Sequence, residues 1–190
     1  MPRLTVIIAS TRPGRAGAVI APWIIDTARE HGAFDVEEAD LAEIDLPMMD
    51  EPAHPRLGQY EHRHTKDWSA RIAASDAFVV VMPEYNYGFT APIKNAIDYL
   101  HREWAYKPMG FVSYGGVSAG TRAVQMLKQV VTTLRITPVF EAVSIPFFSQ
   151  FISDDGVLQP NEVMRDSATA MLDELARVEA ALRPLRTAGA

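Results

Sequence analysis

No cysteine occurs among the 190 residues. Disulfides, thiolate nucleophiles and thiolate metal ligands are therefore excluded, and any redox work must come from a bound cofactor. Positive charge is also scarce: 18 Lys and Arg face 24 Asp and Glu, a formal net charge of -6. Nonspecific nucleic-acid binding, which needs a basic face, is disfavoured. No apolar run approaches a membrane span. The opening Met1-Pro2-Arg3-Leu4-Thr5-Val6 leads straight into a strand pattern without signal-peptide architecture, so a cytoplasmic location is expected. With 48% apolar and 22% charged residues, the chain has material for one sizeable core and is short for two. A single domain over residues 1–190 is expected.

The chain alternates strands and helices. Leu4 to Ala9 reads as a buried strand, and Ala18 to His31 carries helical spacing through Val19, Ile20, Trp23, Ile24 and Thr27 until Gly32 stops it. Phe34 to Leu41 is a second strand, placed near a sheet edge because its acids would be costly in a fully buried centre. Residues 47–64, rich in Pro, Asp, Glu and His, form an irregular excursion of the length associated with functional loops. A helix follows over 65–74. Ala77 to Met82 is an unbroken apolar run, as expected of a strand buried on both faces. Pro92 opens a helix whose apolar face is Ile93, Ala96, Ile97 and Leu100. Lys107 to Ser113 is the next strand, Tyr114 to Gly120 a glycine-rich loop, and a helix runs on to Leu134. Pro138 to Ile145 supplies a fifth strand, and Glu162 to Leu182 a long amphipathic helix. Five strands interleaved with helices imply an α/β fold, a parallel sheet with right-handed crossovers.

The chemistry is expected where the loops after strands one, three and four converge. Ser10-Thr11-Arg12-Pro13-Gly14-Arg15-Ala16-Gly17 puts two hydroxyls, two guanidinium groups and two glycines between a strand and a helix start. That set suits a phosphate: amides at the helix start, close approach at the glycines and arginine forks. The alternative is a solvated turn with surface arginines. The loop contains neither G-x-G-x-x-G nor a Walker lysine, so a dinucleotide-binding turn and a P-loop are unsupported. Pro83-Glu84-Tyr85-Asn86-Tyr87-Gly88 offers polar backbone to a flat ring, with Tyr85 and Tyr87 able to wall it or simply to pack. Gly115 and Gly116 let backbone approach from the other side. A phosphate cradle, a ring slot and a glycine wall are the parts of a mononucleotide site such as one for FMN, at the switch point of a flavodoxin-like sheet of order 2-1-3-4-5.

These residues carry a resemblance. The chain is similar to the NADPH-dependent FMN reductase family of flavodoxin-like quinone, chromate and azo-dye reductases, over Val6 to about Ile145. The matching elements are Ser10-Thr11-Arg12-Pro13-Gly14-Arg15, the Leu46-Pro47 to Glu51-Pro52 excursion, Asp76, Pro83-Glu84-Tyr85-Asn86, Lys94-Asn95-Ala96-Ile97-Asp98, Glu103-Trp104 with Lys107-Pro108, and Ser113-Tyr114-Gly115-Gly116. Ala9 stands where the family usually has glycine, and Arg15 and Gly17 where the better-known chromate reductases use small polar residues. The resemblance implies that Ser10, Thr11 and Arg12, with Arg15, hold the FMN phosphate. Pro83, Glu84, Tyr85, Asn86 and Gly88 would border the isoalloxazine, and Gly115, Gly116 and Ser118 would close the pocket. NADPH or NADH would give hydride to flavin N5, and a small electrophilic acceptor would then take the electrons in the same place. Such ping-pong exchange needs no protein nucleophile, so no catalytic acid or base is assigned. A homodimer or homotetramer is implied, with no nucleic-acid or membrane partner. A flavodoxin-type electron carrier and an FMN-binding sensor remain the alternative functions.

Other polar clusters read as structural. His62 and His64 beside Glu61 lack a complete ligand set for a metal. Glu84 could donate a proton or bond backbone or a partner subunit's arginine. His101, Arg102, Glu103 and Trp104 end a helix, at an interface or in the core. Lys94 and Asp98 have the spacing of an exposed helical pair. Phe147, Phe148 and Phe151 cluster near the fifth strand, in the core or at a subunit contact.

Overall fold

Apolar runs too continuous for a half-solvated sheet dictate strands covered on both faces. The computed structural model, which describes residues 1–187, shows them so. The strands are β1 (Arg3–Ile8), β2 (Asp35–Asp40), β3 (Ala77–Pro83), β4 (Pro108–Gly115), β5 (Thr137–Pro138) and β6 (Val143–Pro146). The helices are α1 (Gly17–His31), α2 (Leu41–Ile44), α3 (Arg63–Ala74), α4 (Ala91–Asp98), α5 (Thr121–Thr132) and α6 (Glu162–Thr187). All pairings in the sheet are parallel, in the order β2-β1-β3-β4-β5, with β6 also paired to β4. β2 pairs with β1 alone, the edge position its acids call for.

Successive residues point to opposite faces. Leu4, Val6, Val79, Val81 and Val112 join Ile20, Ile24, Leu172 and Leu175 of α1 and α6 in one core. Ile7, Phe78, Val80, Met82 and Phe111 join Trp68, Ile72, Ile93, Ile97 and Leu127 of α3, α4 and α5 in the other. The two buried indoles are satisfied by helix carbonyls: Trp68 Nε1 donates to Ala96 O at 2.8 Å and Trp104 Nε1 to Ile97 O at 3.2 Å. Aromatic bulk is thereby buried without stranding a donor.

The expected fifth strand is two pieces. Thr137–Pro138 lies beside Pro108–Met109, and Val143–Pro146 beside Val112–Gly115. Four residues, 139–142, thus span the stretch that Gly110 and Phe111 cover on β4, so two are surplus. They bulge from the edge and expel Phe140, which is 89% exposed. A bulge of this sort interrupts pairing without moving the strand out of the sheet.

Candidate flavin site

The adjacency of β1, β3 and β4 brings their following loops to one rim, at the carboxyl ends of parallel strands. Beyond β1, Ala9 N donates to Val81 O at 2.9 Å and Ala9 O accepts the Thr90 hydroxyl at 2.7 Å, tying the start of the first loop to β3 and to the head of α4. Ser10 is buried, and its Oγ accepts the Tyr114 hydroxyl at 3.1 Å. A side chain at Gly17 would put Cβ 2.3 Å from Ser10 Oγ and 3.0 Å from the Tyr114 oxygen, so only glycine leaves room for that bond. Thr11, Arg12, Pro13 and Gly14 are exposed. The Arg12 guanidinium has no hydrogen-bond or ion-pair partner among the described residues.

Arg15 is placed differently. Its Nη1 and Nη2 meet the two Asp40 carboxylate oxygens at 2.6 and 2.5 Å, and Nη1 also donates to Ser10 O at 3.0 Å. The fork raises the guanidinium pKa above its ordinary value, the Asp40 hydrogen bond outweighing burial. Asp40 in turn accepts Ala42 N at 2.9 Å and caps α2. Arg15 thus braces the loop against the end of β2, and its fork is engaged within the chain rather than open to a phosphate.

After β3, Tyr85 and Gly88 exchange both backbone hydrogen bonds, at 3.0 and 2.9 Å. Asn86 and Tyr87 between them have φ of 49° and 71°, the left-handed pair that a type I′ turn demands. Asn tolerates this region; a tyrosine there is strained. Tyr87 is held by a contact: the Arg122 guanidinium lies 3.7 Å above its ring. Arg122 also binds Glu84, with Nε 2.6 Å from Oε1, while the Ser118 hydroxyl donates to the same oxygen at 3.1 Å. Burial pushes the Glu84 carboxyl up, but the hydrogen bonds from Arg122 and Ser118 outweigh it and leave the pKa below its usual range. Glu84 is therefore ionised at neutral pH and answered by its own chain's arginine.

The loop after β4 folds back on its strand at Gly120, whose φ is +81° and whose Cβ would lie 2.9 Å from Ser113 Cβ. Ser118 faces Glu84 and Arg122, its Oγ accepting Arg122 Nη2 at 2.8 Å. The three loops are thus joined pairwise, through Ser10 to Tyr114, Glu84 to Ser118 and Arg122, and Ala9 to Thr90.

The donor set fits FMN. A Cβ built at Gly14 or Gly116 meets nothing within 4 Å, so both glycines border open space at the rim. An unpartnered Arg12 and an α1 amino end with no side-chain cap supply what a phosphate dianion takes. Tyr85 and Tyr87, 40% and 65% exposed, supply aromatic faces.

The other clusters are structural. His64 Nε2 meets Asp50 Oδ1 at 2.9 Å and stacks on His62, and no group of three metal-ligating side chains occurs among the described residues. Asn95 and Tyr99 pin the 47–64 excursion through Pro47 O, Met49 N and Asp50. Lys94 and Asp98 pair at 2.5 Å on the surface. Phe148 and Phe151 pack against the α1 and α6 core, and Phe147 is half exposed. Sequence reading missed Asp40, Tyr114 and Arg122 as site-forming residues. Each lies in a stretch read for its backbone, and Asp40, one of four acids in β2, is not distinguished from the others by the sequence.

Residues 2–150 match the NADPH-dependent FMN reductase family. An NAD(P)H-dependent FMN reductase of Schizosaccharomyces pombe is 42% identical over 149 residues, covering 76% of this chain and 74% of that protein. An NAD(P)H:quinone oxidoreductase of Solanum tuberosum is 43% identical over 63 residues, 32% of each chain. Among solved structures, FerB, a flavoenzyme NAD(P)H:(acceptor) oxidoreductase from Paracoccus denitrificans, superposes with a TM-score of 0.77 at 21% identity, covering 95% of this chain and 98% of its own. That likeness extends the flavodoxin-like fold past residue 150 into α6. The chain belongs to the NADPH-dependent FMN reductase family.

Proposed function

We propose that this chain, as one domain carrying one FMN, oxidises NADPH or NADH and reduces a quinone, a flavin or another small electrophile by a ping-pong mechanism. That it is an oxidoreductase working with FMN and NAD(P)H follows from its family; the acceptor and the two-step exchange are our reading. When bound, FMN supplies the chemistry, taking a hydride from the nicotinamide and passing electrons on. The chain's residues bind and orient. Arg12, with Ser10 and Thr11, holds the phosphate, and Arg15 stiffens that loop from behind. Pro83, Glu84, Tyr85, Asn86 and Gly88 border the ring, and Gly115, Gly116 and Ser118 close the pocket. The Glu84 to Arg122 pair fixes the turn that carries Tyr85 and Tyr87.

The observation that carries this reading is the Arg12 guanidinium, left without a partner beside an open glycine at the head of α1. We place the protein in the cytoplasm as a homodimer or homotetramer. In support, a groove of about 710 Å³ between α4 and α5 is lined by Met49, Phe89, Met126 and Val130, partly exposed apolar side chains suited to a second copy. No helix among the described residues is long and apolar enough to cross a membrane. The test is FMN titration followed by steady-state NADPH oxidation with a quinone, varying both substrates. Parallel double-reciprocal lines are expected. FMN uptake without nicotinamide oxidation would make the chain a carrier or sensor, and intersecting lines would remove the ping-pong scheme.

A further inference from the structure

We propose that Tyr114 is a positioning residue for the FMN phosphate, acting through the hydroxyl of Ser10; the inference rests on the FMN reading above. Tyr114 ends the buried part of β4, where alternation turns it toward α1. Its hydroxyl donates to Ser10 Oγ at 3.1 Å across 104 residues of chain. A serine hydroxyl has one proton to give and lone pairs to accept with. Accepting from Tyr114 leaves the Ser10 proton free to donate, which is the role a phosphate oxygen needs from the floor of this loop.

Three features support that direction. Burial pushes the Tyr114 phenol up to about 12, so it keeps its proton at neutral pH. Gly17 is the first residue of α1 and lies directly against the Tyr114 to Ser10 bond. The space for it exists only because Gly17 has no side chain: a Cβ there would collide with Ser10 Oγ. Among the described residues the Ser10 and Tyr114 hydroxyls have no competing side-chain partner, since Arg15 takes the Ser10 carbonyl rather than its hydroxyl. The ring of Tyr114 has a separate job, packing edge-on against Phe148 at 5.4 Å, which a phenylalanine would keep.

That separation permits a decisive test. Dissociation constants for FMN and for riboflavin, which lacks the phosphate, are measured by flavin fluorescence on wild type, Tyr114→Phe, Ser10→Ala and the double variant, each checked for folding by its thermal melt. Expected is a loss of about five- to tenfold in FMN affinity for Tyr114→Phe, riboflavin affinity unchanged, and no further FMN loss when Tyr114→Phe is added to Ser10→Ala. Equal losses for both ligands would reduce Tyr114 to packing, and multiplicative losses in the double variant would separate it from Ser10. Tighter FMN binding in Tyr114→Phe would reverse the donor direction. Each of these outcomes overturns the inference while leaving the FMN reading intact, whereas wild type that binds neither flavin overturns both.

Discussion

The two ends of the sheet differ in one unanswered charge. At the amino end, buried Lys107 donates to the last carbonyls of α3, Ile72 O at 2.7 Å and Ala73 O at 3.2 Å. Arg186 binds Asp76 at 3.0 Å and Glu179 at 2.5 Å, and Asp76 also accepts Arg3 N. These charges close on one another and tie α6 to the strands it crosses. At the carboxyl end, Arg15 and Arg122 are likewise answered, by Asp40 and Glu84. Arg12 alone in that loop is left over. The difference separates charges that hold the fold from a charge that contributes nothing to it, since a cation kept near a helix amino end without a partner stabilises nothing by itself.

The largest way to break the amino end is Glu179→Ala. Its carboxylate is 1% exposed and answers both Arg183 and Arg186. Asp76 still holds Arg186, so the expected loss is about 3 kcal/mol of unfolding free energy, read by urea denaturation, with FMN affinity unaltered. Next is pH. Burial lowers the Lys107 pKa from 10.5 to about 8. Between those values the unfolded chain binds more protons than the folded one, so stability rises with pH across that window. The gain from pH 8 to 10 is on the order of 2 kcal/mol, before Tyr114, raised from 10 to about 12, begins to oppose it. A flat profile in Lys107→Met is the check; an unchanged rise would assign the effect elsewhere.

The carboxyl end should answer differently. Arg12→Ala is expected to weaken FMN binding by about 1.5–2 kcal/mol while shifting the apoprotein's unfolding by less than about 0.5 kcal/mol. A large loss of apoprotein stability would erase the contrast between the two ends. The smallest effect belongs to neither end. Asp98→Asn breaks the exposed pair with Lys94 and should change stability by about 0.3 kcal/mol, with catalysis unchanged.

Much of the sheet was legible because its signals are local. β1, β3 and β4 announce themselves as apolar runs, and β2 as an edge strand by its acids. The fifth strand was not, because apolar patterning over Pro138 to Ile145 records which face a residue takes and not which residue of β4 it meets. Two surplus residues between β5 and β6 shift the register without disturbing composition. Within the rim, the types of the glycines, hydroxyls and tyrosines are legible in the sequence, but not their partners. Arg15 has the same charge whether it faces a phosphate or Asp40.

The succession of strands and helices along the chain and the chemical content of each loop were determined by the sequence alone, since strand and helix signals act over a few neighbouring residues. Which side chains meet was decided only by the tertiary structure. Arg15 reaches Asp40 across 25 residues, Glu84 reaches Arg122 across 38, and Tyr114 reaches Ser10 across 104. Ångström-scale contacts between such distant residues depend on strand adjacency and register, and those are properties of the packed sheet rather than of any one segment.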